Sequence, residues 1–227
     1  MSMSTGIHIP LVIAIDGPAA SGKGTLARSL AERLGLSYLD TGKLYRAVGW
    51  RVLQTGASLE DNEAASTIAR TITEADINSD QLYAEEVGSA GSKVSAIPGV
   101  RQALLEFQRV FAAKPDGAIL DGRDIGTVIC PDADIKFFVT ADIETRTTRR
   151  YRELSQKDPS VQYDAVRENL QSRDLRDSER AIAPLVMAED AVHLDTTGMD
   201  ADTALERALA IITPILQAKR PPAAQHG

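Results

Sequence analysis

The sequence predicts an α/β fold on a parallel sheet, and three observations carry that prediction. Short apolar, β-rich runs alternate with longer helical patterns along 227 residues, a length that suits one elaborated domain. Four of five candidate strands end on an acid, Asp16, Asp40, Asp121 and Asp195. That puts polar groups at the carboxyl ends of the strands, where open parallel sheets hold their ligands. Apolar residues make up 43% of the chain and charged residues 25%, enough for a core beneath an ordinary solvated surface.

The strands are read at 11–16, 36–40, 118–121, 135–140 and 191–195. A helical pattern follows the first strand through Leu34. The last helix is marked by Leu205, Leu209, Ile212 and Leu216, which share one face. Two stretches interrupt the rhythm: 41–113 is helix-like throughout, and 145–184 is rich in arginine. Both read as subdomains mounted on the sheet, the kind of excursion that covers a site. The core is thus assigned to 11–40, 118–140 and 191–217, and 218–227 to a flexible tail with two prolines and no apolar period.

Several function classes drop out on composition. Twenty-five cations against 32 acids leave a formal charge of -7, whereas a broad nucleic-acid footprint needs a basic face. Apolar runs such as 11–15 and 137–139 fall far short of the ~20 residues that span a bilayer. The first ten residues lack the basic start and apolar stretch of a signal peptide. A single cysteine, Cys130, forms neither an internal disulfide nor a cysteine metal cage. The expectation is a cytoplasmic monomer without a nucleic-acid or membrane partner.

The strand at 11–16 runs into Gly17-Pro18-Ala19-Ala20-Ser21-Gly22-Lys23-Gly24-Thr25, with a helix after it. This is a phosphate-binding loop in its confirming context. Gly17 and Gly22 allow the tight turn that aims backbone N–H groups at an anion, and the helix start adds its positive dipole end. Lys23 supplies a point charge for the β- and γ-phosphates of a nucleoside triphosphate. The hydroxyl residue that usually follows the lysine is replaced by Gly24, with Thr25 one place later. Mg²⁺ is therefore expected to rest mainly on nucleotide and water, with Thr25 and Asp121 as water-mediated ligands.

Three further clusters follow. Asp40-Thr41-Gly42-Lys43-Leu44-Tyr45-Arg46 opens a helix whose core face is Leu44, Ala47 and Val48, with Arg46 pointing off it. Taken alone, a threonine N-cap with an exposed tyrosine and arginine would also account for it. Asp121-Gly122-Arg123-Asp124 lies at the end of the third strand, where an acid beside a phosphate loop resembles a Walker B element. Arg173, Arg176, Asp177 and Arg180 form one helical stripe, and Arg146, Arg149 and Arg150 another. By itself each stripe reads as a solvated face with pairs such as Arg173–Asp177. Beside a phosphate loop, arginine forks suit a site that holds several phosphates.

The three histidines, His8, His193 and His226, offer no obvious general base. A phosphate acceptor needs none, because its second pKa of about 6 leaves it ionised at neutral pH. Placement and charge neutralisation suffice, and arginines supply both. These features leave open a kinase for a phosphate, another P-loop kinase or an NTPase switch. The chain carries no N-K-x-D guanine-reading motif.

Segments 13–25, 39–46, 92–101, 121–128 and 173–185 together resemble the bacterial-type cytidylate kinases, a branch of the nucleoside monophosphate kinases. A glycine and a threonine after the lysine are normal there. The resemblance implies a P-loop NTPase-type three-layer α/β/α fold with a five-stranded parallel sheet, a monophosphate-binding region at 41–113 and a lid at 145–184. It implies transfer from Mg²⁺-ATP to CMP, and to dCMP. Residues 17–25 would hold ATP; Thr41, Tyr45, Arg46, Arg123 and Arg180 the CMP phosphate; Asp124 and Arg173 the ribose. Ser92, Arg101 and Asp177 would read cytosine, the carboxylate accepting from its amino group and the others facing N3 and O2. Lys23 with lid arginines Arg146 and Arg150 would stabilise the moving phosphoryl group. The stretch from about 57 to 91 is shorter than the usual insertion, and only 77–84 hints at its small antiparallel sheet.

Overall fold

Five parallel strands, β1 Val12–Asp16, β2 Ser37–Asp40, β3 Ala118–Gly122, β4 Ile135–Thr140 and β5 Val192–Asp195, pair in the order β2-β3-β1-β4-β5. The computed structural model describes residues 10–219. The strands lie within a residue of their predicted ends. Alternation along β1 sends Ile13 and Ile15 to one face, packed with Phe137, Val139 and Leu194. Ala14 faces the other way, with Leu39, Leu120 and Ile125. Helices α1 Lys23–Leu34 and α9 Ala201–Lys219 cover the first face, and α6 Pro98–Ala112 lies over the second. This is the expected three-layer arrangement.

The loop before α1 depends on two glycines. Gly17 has φ +154, and a Cβ there would fall 2.0 Å from the Val139 carbonyl oxygen. Gly22, at φ 88, is the left-handed N-cap of α1. In α9, Ile212 is fully buried and Leu205, Leu209 and Leu216 pack beside it, as their spacing requires. The helix continues through Lys219, so the predicted tail begins later than 218. Its remainder, 220–227, lies outside the described residues, as do the first nine residues, His8 and His226.

Between β2 and β3 stand α2 Thr41–Thr55, α3 Asn62–Ala69, α4 Glu74–Ile77, a 3₁₀ turn Asp80–Tyr83, α5 Glu85–Val94 and α6. No strand occurs here, so the hint of a sheet at 77–84 is corrected: those residues are helical turns and links. Their apolar side chains turn inward instead, Leu82 packing with Ala47 and Val87. Leu44, Val48 and Val52 of α2 meet Ala65, Val94, Ile97 and Val100, a second core. The threonine N-cap is also corrected. Asp40 caps α2 through Lys43 N, leaving the Thr41 hydroxyl to donate to the Asp121 carbonyl oxygen at 2.8 Å.

Helices α2 and α5 approach closely because both carry glycine at the crossing. A Cβ on Gly49 would lie 2.8 Å from backbone atoms of Ala90 and Gly91, and one on Gly91 would lie 3.0 Å from Arg46 N. This contact sets Arg46 beside α5. Gly49→Ala should therefore cost about 1–3 kcal/mol through overpacking. Thermal unfolding checks this, and an unchanged midpoint would contradict so close an approach.

From 143 to 179 the chain forms α7 Ile143–Ser155 and α8 Tyr163–Glu179. Leu154, Val166 and Leu170 pack there against Ala19 of the phosphate loop. Among the described residues no helix is long and apolar enough to cross a membrane.

Candidate active site

The carboxyl ends of β1, β2 and β3 open into one cleft, walled by α2, α5 and α8. Ala19, Ala20, Gly22, Lys23, Gly24 and Thr25 line it, with Thr41, Tyr45 and Arg46 from α2. Ser92, Asp121, Arg123, Asp124, Arg150, Arg173, Asp177 and Arg180 complete the predicted set that reaches it. Gly17, Pro18 and Ser21 of the phosphate loop do not line it. The Pro18 carbonyl oxygen accepts from Lys23 Nζ at 3.4 Å.

Two predicted residues stand behind the surface. Arg101 is buried, pairs with Asp124, donates to the Ser95 carbonyl oxygen and stacks over Tyr45 at 5.7 Å. Arg146 spends its donors on the Ala141 and Ala19 carbonyl oxygens and pairs with Asp174 at 2.7 Å. Of the two lid arginines expected at the transferring group, Arg150 faces the cleft and Arg146 braces the loop from below.

Ion pairs tie together residues assigned to different parts of a nucleotide. Arg123 Nε meets Asp177 Oδ2 at 2.8 Å, and Asp124 is held by both Arg101 and Arg180. Ser92 Oγ donates to Asp177 Oδ1 at 3.3 Å. Asp177 thus pairs with Arg123 rather than in the i,i+4 pair with Arg173. The buried Nε of Arg173 has no partner, so this guanidinium is available to an incoming acceptor.

Burial and neighbouring charge set the protonation of the site. Burial pulls the Arg173 guanidinium down to about 10, and the like charges of Arg123 and Arg46 add to it. Burial works to raise the Asp177 carboxyl, but Arg123, with Arg180 and Arg173 behind it, outweighs burial and keeps the group below the usual range. Burial would lower Arg123; the adjoining Asp177 reverses that, so the guanidinium stays charged. Lys23 is depressed by burial and by Arg123, while Asp121 is pushed up by burial and by Asp40. A cation would relieve the Asp121–Asp40 repulsion. A phosphate would do the same for the crowded Lys23, Arg46, Arg123 and Arg173.

Asp16 clamps the loop that carries these groups. Its oxygens accept from Ile125 N at 2.8 Å and Gly126 N at 2.7 Å, and burial still pushes its carboxyl up to about 6. His193 bonds Thr140 Oγ1 and does not line the cleft.

The donor set suits a magnesium ion held largely by water and nucleotide. Among the described residues no three His, Cys, Asp or Glu side chains are grouped to hold a metal. Asp121 and Thr25 both line the cleft, and a Cβ on Gly24 would sit 3.1 Å from Asp121 Oδ2. The glycine leaves that gap open, and Mg²⁺ characteristically retains several waters.

Several roles went unread in the sequence. Tyr38 Oη donates to Asp121 Oδ2 at 3.4 Å. Arg149 ties the Ser21 carbonyl oxygen to Thr196 and Met199. Glu85 pairs with Arg150 at 2.7 Å, and Ser95 Oγ accepts from Arg180. Each joins parts of the chain that are distant in sequence. Only Ser95 falls inside a recognised segment.

The chain is similar to known proteins. The cytidylate kinase family model matches residues 13–214. A cytidylate kinase from Methylocella silvestris is 55% identical over 89% of this chain and 94% of its own. Another, from Xanthobacter autotrophicus, is 56% identical over 89% and 97%. Among solved structures, a gluconokinase from Sinorhizobium meliloti matches with TM-score 0.50 at 12% identity, covering 93% of this chain and 96% of that one. That last likeness is one of fold alone. With the loop, the strand order and these relatives taken together, the chain belongs to the cytidylate kinase family.

Proposed function

We infer that the protein transfers the γ-phosphoryl group of ATP to the phosphate of CMP, and of dCMP, giving ADP and CDP or dCDP. The observation that carries this reading is one cleft in which a phosphate loop with Lys23 faces Arg46, Arg123, Arg173 and Arg180. Family membership names the acceptor. Among the described residues no histidine lines the cleft, which suits an acceptor already ionised at neutral pH.

The loop amides and Lys23 hold the ATP phosphates, while Thr41, Tyr45, Arg46, Arg123 and Arg180 hold the CMP phosphate. The attacking oxygen is then in line with the γ-phosphorus. Asp121 and Thr25 would hold a magnesium ion through water, and the ion would supply neutralisation of phosphate charge. Arg150 leaves Glu85 to reach the transferring group as the segment 145–184 closes as a lid and excludes water. Segment 41–113 binds the monophosphate, with Asp124 and Arg173 on the ribose, Ser92 and Asp177 on the base, and Arg101 behind them holding Asp124. The enzyme works as a cytoplasmic monomer.

Asp177 accepts from the amino group of cytosine, whereas uracil presents an oxygen that the carboxylate repels. Asp177→Ala should lower the CMP-over-UMP ratio of kcat/KM by about 10- to 100-fold. An unchanged ratio would remove Asp177 from base reading. ADP release measured with CMP, dCMP, UMP and AMP tests the whole reading. CMP and dCMP should be fastest; ATP turnover indifferent to added monophosphate would overturn it.

A further inference from the structure

Arg176 lies on α8 immediately before Asp177 and does not line the cleft. Its other side borders a shallow groove formed by Lys93, Ile97 and Pro98. Its Nη1 donates to Ser92 Oγ at 2.8 Å, and its Nη2 donates to Ser172 Oγ at 3.4 Å. Ser92 Oγ is also bonded to Asp177 Oδ1, at 3.3 Å. Arg123 occupies the second oxygen of that carboxylate.

The polarity of this chain of bonds follows from the groups themselves. A guanidinium has donors only, so Ser92 accepts from Arg176. An ionised carboxylate has acceptors only, so the single Ser92 proton goes to Asp177. One lone pair of the hydroxyl is left for a ligand. To face the acceptor atoms N3 and O2 of the base, as the family resemblance implies, Ser92 would need a free hydroxyl proton. The observed bonds give it the opposite polarity.

We propose that Arg176 is a positioning residue for base selection. It fixes the Ser92 hydroxyl so that Ser92 and Asp177 together present acceptors to an exocyclic amino group. This inference rests on the reading that Ser92 and Asp177 face the base. A uracil-type oxygen then meets two acceptors and no proton. Without Arg176 the hydroxyl can turn and donate to that oxygen, and the penalty against uracil shrinks. Cytosine loses little, because Asp177 still accepts from its amino group.

The test compares R176M, R176K, S92A and the double variant R176M/S92A by kcat and KM for CMP and UMP, with melting temperatures measured in parallel. R176M should lower the CMP-over-UMP ratio of kcat/KM about tenfold, mainly by improving UMP, with kcat for CMP kept within about threefold, the size expected for one mispaired hydrogen bond. R176K, which retains a donor, should keep most of the selectivity. S92A should lower the ratio by itself, and adding R176M to it should change nothing further.

If S92A lowers the ratio and R176M does not, the inference fails and base reading by Ser92 stands. If S92A leaves the ratio unchanged, both fail. An equal loss on CMP and UMP in R176M would mark a merely structural arginine and also overturn the inference. Should R176M not fold, R176Q decides. Its amide can accept as well as donate, so the ratio should still fall, and an unchanged ratio refutes the positioning role.

Discussion

Arg123→Met is expected to lower kcat for CMP by about 10³-fold, the scale seen when a charge-stabilising group is removed from a phosphoryl-transfer site. Arg123 follows directly on β3, where strand geometry aims it into the cleft opposite Lys23. Its pairing with Asp177 keeps it charged in spite of burial. The substitution also leaves the Asp177 carboxylate, only 5% exposed, without its ion-pair partner, which alone costs about 3–5 kcal/mol of stability. The double variant Arg123→Met/Asp177→Asn removes that complication. It should regain most of the stability, read by urea unfolding, and none of the turnover. Recovery of turnover along with stability would show that Arg123 holds Asp177 and not the acceptor phosphate.

Lys23→Met should separate activity from stability in the opposite sense. Turnover should again fall by about 10³-fold or more, because no other ammonium reaches the β- and γ-phosphates from the loop. Stability should hold or rise. In the folded protein the Lys23 ammonium is crowded by burial and by Arg123, and its bond to the Pro18 carbonyl oxygen is long, at 3.4 Å. Deleting a charge held at such a cost typically gains about 1 kcal/mol, or roughly 2–4 °C in melting temperature for a chain of this size. A variant that melts well below the parent would mean that Lys23 holds the loop together. The two variants thus distinguish a charge that waits for a ligand from one that supports the fold.

What could be read in the sequence was what lies contiguously along it. The phosphate loop declares itself because glycine geometry, lysine and helix start fall within nine residues, and the strands because each is a short apolar run ending on a polar group. Pairings between distant segments could not be read. Arg123 and Asp177 stand 54 residues apart, and nothing local says that an arginine of one cluster meets an acid of another. Arg146 and Arg150 share a helix face one turn apart. Periodicity cannot tell that the first meets loop carbonyl groups and the second faces the cleft.

The stretch from 77 to 84 misled for a similar reason. Ile77, Leu82 and Tyr83 are too short a run to show a helical period, and packing of Ile77 and Leu82 beside Ala47 and Trp50 of α2, rather than strand propensity, sets their conformation. The polarity of Ser92 depends on Arg176, a residue that helical spacing alone assigns to a solvated stripe.

The central claim is that two phosphates are held end to end, with guanidinium groups around the acceptor and no side chain needed to remove a proton. It is tested most directly by ADP release from Mg²⁺-ATP with CMP and with cytidine at equal saturating concentration. The account predicts rapid turnover with CMP and none above background with cytidine, which lacks the phosphate that the guanidinium groups hold and whose hydroxyl, unlike a phosphate, is not already ionised at neutral pH. Comparable turnover with the two acceptors would contradict it.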